Sequence, residues 1–521
     1  MAARYWVGGT GTWDATAGTK WALTSGGAGG ETVPGTSDTV FFDVASGANV
    51  VTVGSGYNPE VVSLTMTGFT GTLAFGNQTI IVNGTGTVYT GATTFTVTGT
   101  PVINCTNSSA TARTITPTAV TEANAINFNI TAGTGNFTIT SSNSVKDLNF
   151  TGFTGTFTGA SHINYGSLTL GTGMTVSDTA NIVTFAATSG THKITCNGVS
   201  YTRSMTFNGV GGTWQLQDNC TVGSTRTVTL TNGTLDLNSK TLSCGLFSST
   251  NSNTRSIAFG TGNITLTGSN AVIWTTVTST GFSYTGIPAV NCTYSGSTGS
   301  RTINTGSGLT ESNCLSFNVS AGSDTITSGG AGYVFKNLNL TGFSGTFSNT
   351  GKTIYGSFTA TGTATYTAGA NALTFAATSG TQTLTTNGVT LDFPLTFSGI
   401  GGTFSFADAL TQGSTRAFTI TNGTVKLKAG ATSTVGSFVT SGTTQKYLQS
   451  TLVGSRATLS QVSGTVSVSY LTIKDIAATG GATWNAYRNL NNIDAGNNTG
   501  WDFLSTPVTT TSLSMRLGFG L

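Results

Sequence analysis

The chain alternates apolar and polar residues in short bursts and then breaks at Gly, Asn, Ser or Thr. Asp147 to Phe150 (DLNF), Gly166 to Leu170 (GSLTL), Ile182 to Phe185 (IVTF), Ser204 to Phe207 (SMTF), Thr227 to Leu230 (TVTL), Thr241 to Cys244 (TLSC) and Ser256 to Phe259 (SIAF) share this form. A period of two, rich in β-branched and aromatic side chains and bounded by turn formers, predicts a half-buried strand. No window sustains the 3.6-residue period of an amphipathic helix. The bursts recur every roughly 15 to 25 residues, the length of one solenoid coil rather than one hairpin arm.

A longer repeat overlies this beat. Leu148 to Phe157 (LNFTGFTGTF) returns as Leu338 to Phe347 (LNLTGFSGTF), an offset of 190, and an earlier form stands at Leu64 to Leu73 (LTMTGFTGTL). The stretch from Val183 (VTFAATSGT) aligns with that from Leu373 (LTFAATSGT) at the same offset of 190. Upstream the offset drifts to 187 for PVINC at Pro101 and PAVNC at Pro288, and to 189 for INFNITAG at Ile126 and LSFNVSAG at Leu315. Small insertions therefore fall in loops, as stacked repeats allow. The expected fold is all-β: a single-chain parallel β-helix, right-handed by the usual crossover rule. The expected organisation is a Trp-rich cap with first coils over 1–60, a body over 61–460 with large repeats near 65–242 and 255–428, terminal coils and cap over 461–504, and a tail over 505–521.

Composition agrees with that fold. Charged residues make up 7% of the chain, against roughly 25% in ordinary globular domains, and Gly fills 72 of 521 positions. In a solenoid, Thr and Ser can stack on outward faces, Val, Ile, Leu and Phe inward, and Gly and Asn can take positive-φ corners. Coils of about 23 residues stacked about 4.8 Å apart would make a stiff rod. The net charge of +3 is spread thinly, with no Lys/Arg cluster along the sequence, so neither a nucleic-acid footprint nor an anionic membrane surface is expected. The opening Met1-Ala-Ala-Arg-Tyr-Trp has no apolar core and no run of 18 apolar residues follows, so neither a cleaved export signal nor a membrane span is expected.

Cys196, Cys220 and Cys244 are spaced by 24 and 24, and Cys292 and Cys314 by 22. Their repeat partners are Thr386 for Cys196, Leu410 for Cys220 and Ala125 for Cys314, which is how a packing position varies. Core filler is therefore expected over a disulfide or metal ladder. His162 and His192, the two histidines, have no thiol or carboxylate motif beside them, so no metal, cofactor or histidine base is expected.

The 17 acids are scattered, whereas sugar-cleaving β-helices gather carboxylates on one sheet face. Asp218 recurs as Asp408, each eight residues before an arginine, Arg226 and Arg416. A structural pair is expected, an acid in one coil meeting an arginine at a corner. Arg113, Arg226, Arg255, Arg301, Arg416 and Arg456 each follow a Ser, Thr or Ala turn and precede a strand, which suits a guanidinium capping turn carbonyls. A basic stripe for an anionic polysaccharide is the alternative.

Three of the seven tryptophans, Trp6, Trp13 and Trp21, lie in the first 21 residues, and Trp484 and Trp501 lie near the other end. Such aromatics are expected to cap the open first and last coils, the alternative being sugar platforms. The opening stretch from Arg4 to Asp43, with its W-x-G-G, G-x-W, V-P and D-x-V-x-F elements, resembles the start of β-helical bacteriophage and surface proteins. Tyr470 to Phe503, ending G-N-N-x-G-W-x-F, resembles the terminal coil of the same class.

This resemblance covers about 75 residues at the two ends. It implies a tailed-phage virion protein, a fibre, spike or decoration, carrying no catalytic residues over. Its implied partners are other virion proteins and host-surface polysaccharide, and a trimer is one possible assembly although no coiled coil is visible. Two rival readings stay open: a tailspike-type polysaccharide hydrolase or lyase, which needs clustered carboxylates, and a bacterial adhesin, which needs an export signal and a membrane barrel. The tail after Phe503 reads as a linker and a terminal strand from Ser514 to Leu521, suited to adding to a neighbour's sheet edge.

Overall fold

A computed structural model describes residues 2–504 apart from 141, 142, 178, 179, 270, 307 and 331; the tail expected to dock on a neighbour lies outside the described residues. The chain is all-β, with parallel strands stacked as a β-solenoid. Contacts divide it into two compact units, Met1–Gly329 and Gly330–Leu521, so the boundary falls inside the second large repeat. In the first unit a nine-stranded sheet runs from the Ala3–Trp6 end to Thr175–Val176, and an eleven-stranded sheet from Glu60–Val61 to Phe282–Thr285. In the second, a six-stranded sheet runs from Tyr333–Phe335 to Ser437–Thr440 and a five-stranded sheet from Thr390–Leu391 to Ile476–Thr479. Among the described strand pairs only Ala3–Trp6 with Trp21–Ala22 is antiparallel.

Each strand pairs with the strand one coil further on. Leu148 is in register with Leu168, 20 residues later, and Leu168 with Ile194, 26 residues later. Because side chains alternate across a strand, register turns each sequence burst into two ladders. Val183, Met205, Val228 and Phe247 line up inward and are buried. Thr184, Thr206, Thr229 and Ser248 line up outward. The outward ladder keeps the sheet wetted without charge.

The duplication reproduces packing in detail. Phe185 stacks on Phe207 at 5.1 Å and 11°, and their counterparts Phe375 and Phe397 at 5.3 Å and 14°. Trp214 lies 5.5 Å from Phe207, and Phe404, its counterpart, 5.4 Å from Phe397. Each such buried aromatic contributes about 1.5–3 kcal/mol of burial plus roughly 0.5–1.5 kcal/mol of ring contact.

The motif that appears three times is a corner. Leu148, Phe150, Phe153 and Phe157 point inward and are fully buried. Between them the Phe153 N–H closes a tight turn on the Phe150 carbonyl at 2.9 Å, as Phe343 does on Leu340 at 3.0 Å and Phe69 on Met66 at 3.1 Å. Asn149 Oδ1 accepts from the N–H of Thr151 at 3.0 Å, as Asn339 Oδ1 does from Thr341 at 2.9 Å. The first glycine of each turn is left-handed, with φ 81 at Gly68, 92 at Gly152 and 91 at Gly342. The second faces the coil below: a Cβ on Gly71 would lie 2.1 Å from the Asn49 carbonyl oxygen, and one on Gly155 2.0 Å from that of Gly135. Two unrelated backbone requirements thus explain why both glycines persist.

The cysteines require a correction. Cys196 and Cys220 form a disulfide across 24 residues, with Cα atoms 5.5 Å apart. Core filler describes only Cys105, Cys244, Cys292 and Cys314, which are buried and free. Burial pushes the thiols of Cys105, Cys244 and Cys292 up to about 12, so they are chemically quiet. A spacing of one coil brings two residues within bridging distance only where both occupy the same corner of adjacent coils. Cys220 and Cys244 fail that condition, since Cys220 is in register with Leu242.

Candidate functional site

Asp218 and Asp408 occupy equivalent places but do not meet Arg226 and Arg416. Asp218 accepts backbone N–H bonds from Cys196 at 2.8 Å and Asn197 at 2.5 Å. Asp408 accepts from Thr386 at 2.9 Å and Asn387 at 2.5 Å. Each carboxylate therefore caps the turn of the coil before its own, where Asn197 and Asn387 are left-handed at φ 48 and 51 and expose consecutive N–H groups. Arg416 pairs instead with Asp392, Nε to Oδ1 at 2.7 Å. In the first copy the residue equivalent to Asp392 is Thr202, whose hydroxyl donates to the Val176 carbonyl at 2.6 Å.

Several of the corner arginines point inward. Arg113, Arg255 and Arg301 are at most 1% exposed. Arg255 donates to the carbonyls of Ser249, Asn253, Thr278 and Thr280 and to the Ser249 hydroxyl, all between 2.6 and 3.0 Å. Arg113 donates to Ala132 at 2.6 Å, and Arg301 grips both oxygens of Asp324 at 2.7 Å. Each cation also faces an aromatic ring: Arg113 with Phe137 at 5.7 Å, Arg255 with Phe282 at 5.4 Å, Arg301 with Tyr294 at 5.4 Å.

Sequence reasoning missed three more such cations. Arg203 lies over Phe157 at 4.7 Å, Lys352 over Tyr333 at 5.2 Å and Lys446 over Tyr470 at 5.7 Å. A cation just before or at the start of a strand was the available signal. These groups pin loops from inside, so they form no basic stripe on the surface.

Trp6, Trp13 and Trp21 are fully buried, packed edge-on at 5.1 Å for Trp6 with Trp21 and 5.4 Å for Trp13 with Trp21, with Phe42 against all three. At the other end Trp484 is 4% exposed and lies 5.0 Å from the partly exposed Trp501. None of the four buried indoles presents a face on which a sugar could stack.

The acids mostly hold turns. Asp475 accepts from Asn497 Nδ2 at 2.6 Å and the Gly454 N–H at 3.1 Å, and Asp494 accepts from Asn498 Nδ2 at 2.6 Å. The Asn497 hydrogen bond, with help from the Gly454 N–H, holds Asp475 below the usual carboxylate range, and the Lys20 ammonium does the same for Asp14. A general acid in glycoside cleavage needs the opposite shift. Glu31 and Asp38 lie close together, but Arg4 stands 3.8 Å from each and bridges them. Among the described residues no group of three His, Cys, Asp or Glu is arranged to hold a metal.

What remains is surface. Thr87, Thr114, Thr138 and Thr158 form one outward rank, with the last two hydroxyls 2.7 Å apart, and Thr353, Thr374, Thr396 and Thr419 form another. Asn129 donates to Asn104 at 2.9 Å, and their counterparts Asn318 and Asn291 repeat this at 2.9 Å. One rank differs in charge: Thr383, Ser405, Lys426, Gln449 and Lys474 are in register on a single face of the second unit. The absence of a Lys/Arg cluster along the sequence therefore does not carry over to the surface, because register brings together lysines 48 residues apart. No family model, curated protein or solved structure matches the chain.

Proposed function

We propose that the chain is a structural protein of a tailed-phage virion, a fibre, spike or decoration, whose stacked coils act as a stiff spacer and whose outward ranks touch host-surface glycan. The observation that carries this reading is the employment of the carboxylates. Asp218, Asp408, Asp475 and Asp494 are spent on turn N–H and amide groups, and Asp324 and Asp392 on arginines. The surface they leave is long, polar, nearly uncharged and regular, which suits shallow contact with a repeating polymer. The resemblance of both ends to β-helical phage proteins supplies the virion location and the other virion proteins as partners.

The test is immunogold labelling and peptide mass spectrometry of purified particles from a producing culture, together with reducing-end release from host polysaccharide. The chain is expected on the particle, with no sugar released. A chain found only in the particle-free lysate, or one that cleaves polysaccharide, would overturn the proposal.

A further inference from the structure

Between Asp408 and Asp475 the sequence has six cations, Arg416, Lys426, Lys428, Lys446, Arg456 and Lys474, and no acid. Three are already engaged: Arg416 by Asp392, Lys446 by buried carbonyls, Arg456 by the Asn497 carbonyl. The other three are not. Lys426 and Lys428 make no hydrogen bond or ion pair with any described residue, and Lys474 has only its sequence neighbour Asp475 as an opposite charge, itself bound to Asn497 and Gly454.

Lys426 and Lys474 project from the same face, each in register with Gln449 between them. Two coil steps separate them, roughly 10 Å. Tyr447, 38% exposed, stands beside Gln449 on that face, in register with Thr424 and Thr472. The face thus offers two spaced ammonium groups, an amide, hydroxyls and one aromatic ring.

The first copy of the duplication shows that the fold does not require these lysines. Its equivalent rank is Lys193, Gln215, Asp236, Ala258 and Thr285, where Asp236 stands in place of Lys426 and accepts from Gln215 at 2.8 Å. Charge has reversed at one position and been added at another while strands and register are unchanged. Packing explains neither change.

We infer that this face of the second unit binds a linear anionic polysaccharide, with Lys426 and Lys474 pairing with carboxylate or sulfate groups on separated sugars and Gln449 and Tyr447 holding the sugar between. The inference rests on the reading that outward ranks touch glycan and names the class of glycan. A sparse row of charge flanked by hydroxyl and amide groups matches a polymer whose charges are spaced by neutral sugar. Double-stranded nucleic acid, with a phosphate charge about every 1.7 Å of its axis, demands a far denser basic surface.

The test uses the full chain against immobilised polygalacturonate and heparin, with dextran as the neutral control and single-stranded DNA as competitor. Binding to at least one polyanion is expected, weakening with salt, and none to dextran. The variants are Lys426→Asp and Lys474→Thr, the residues of the equivalent rank, so the coil is kept; an unchanged circular-dichroism melting curve verifies this. The double variant is expected to bind roughly tenfold more weakly, about two surface ion pairs, and Lys193→Thr in the first unit to bind as wild type. Equal binding by wild type and double variant, no binding to either polyanion, or tighter binding to DNA would each overturn the inference. None of these results bears on whether the chain is on the particle, so the two proposals fail separately.

Discussion

His162 and Lys352 occupy the same position in the two copies of the duplication, each opening its strand and each buried, at 3% and 2% exposure. Their surroundings treat them alike. Burial, with Arg203 close by, pushes the His162 imidazole down to about 4, while its Nδ1 lies 3.3 Å from the Ala160 carbonyl oxygen. Burial likewise brings Lys352 down to about 8, although its ammonium donates to the Gly330 carbonyl at 2.7 Å and to the Thr350 hydroxyl at 2.6 Å.

Opposite pH windows follow for the two units. His162 stays neutral in the fold while the unfolded chain takes up a proton near 6.5, so its contribution is complete above that pH and is lost as pH falls from about 6.5 toward 4. Lys352 releases its proton in the fold before the unfolded chain does near 10.5, so the second unit gains stability as pH rises from about 8 to 10.5. Hydrogen exchange of each unit as a function of pH, in wild type, His162→Gln and Lys352→Met, is expected to show each slope flattened by its own variant. Unchanged slopes in the variants would refute both assignments.

Asp218→Ala removes a charged acceptor from two backbone N–H groups and is expected to cost about 1.5–3 kcal/mol. Since Asp218 and Arg226 act on different turns, a double-mutant cycle with Arg226→Gln is expected to show coupling below about 0.5 kcal/mol. Urea denaturation of the four proteins measures it. A coupling well above that value would restore the ion pair that the geometry denies.

The disulfide closes a loop of 24 residues, for which the chain-entropy model gives about 3 kcal/mol. The second copy builds the same corner with Thr386 and Leu410, so Cys196→Thr with Cys220→Leu is expected to fold without the bridge. Dithiothreitol is expected to lower the urea midpoint of the wild type and leave that of the variant unmoved. A wild type indifferent to reductant means that the bridge contributes nothing.

Trp21 touches Trp6, Trp13 and Phe42 with no exposed surface. Trp21→Ala is expected to cost about 3–5 kcal/mol and to speed hydrogen exchange in the first coils. Trp501, partly exposed, is expected to lose less on the same change. Equal losses at the two ends would count against a difference in burial as the cause.

Much of the fold was legible because it is local. The alternation in SMTF already states that Met205 and Phe207 face inward and Ser204 and Thr206 outward, as they do. The corner motif was legible as a repeat, though its reason was not: one glycine serves φ and the other a carbonyl on the coil below. The candidate surface was not legible at all. Lys426 and Lys474 look isolated along the chain, and the buried Arg203 gives no sign that it caps Gly159 two coils away.

By itself, then, the sequence determined which stretches are strands, which side chains face in, and that packing was duplicated, because strand alternation and corner chemistry act within a few residues. Tertiary structure alone decided which residues meet between coils: Asp218 with Asn197 rather than Arg226, Cys196 with Cys220, and Lys426 and Lys474 in one rank. Coils differ in length, 20 residues from Leu148 to Leu168 but 26 from Leu168 to Ile194. A contact between coils depends on the sum of every corner in between, and no short window of sequence contains that sum.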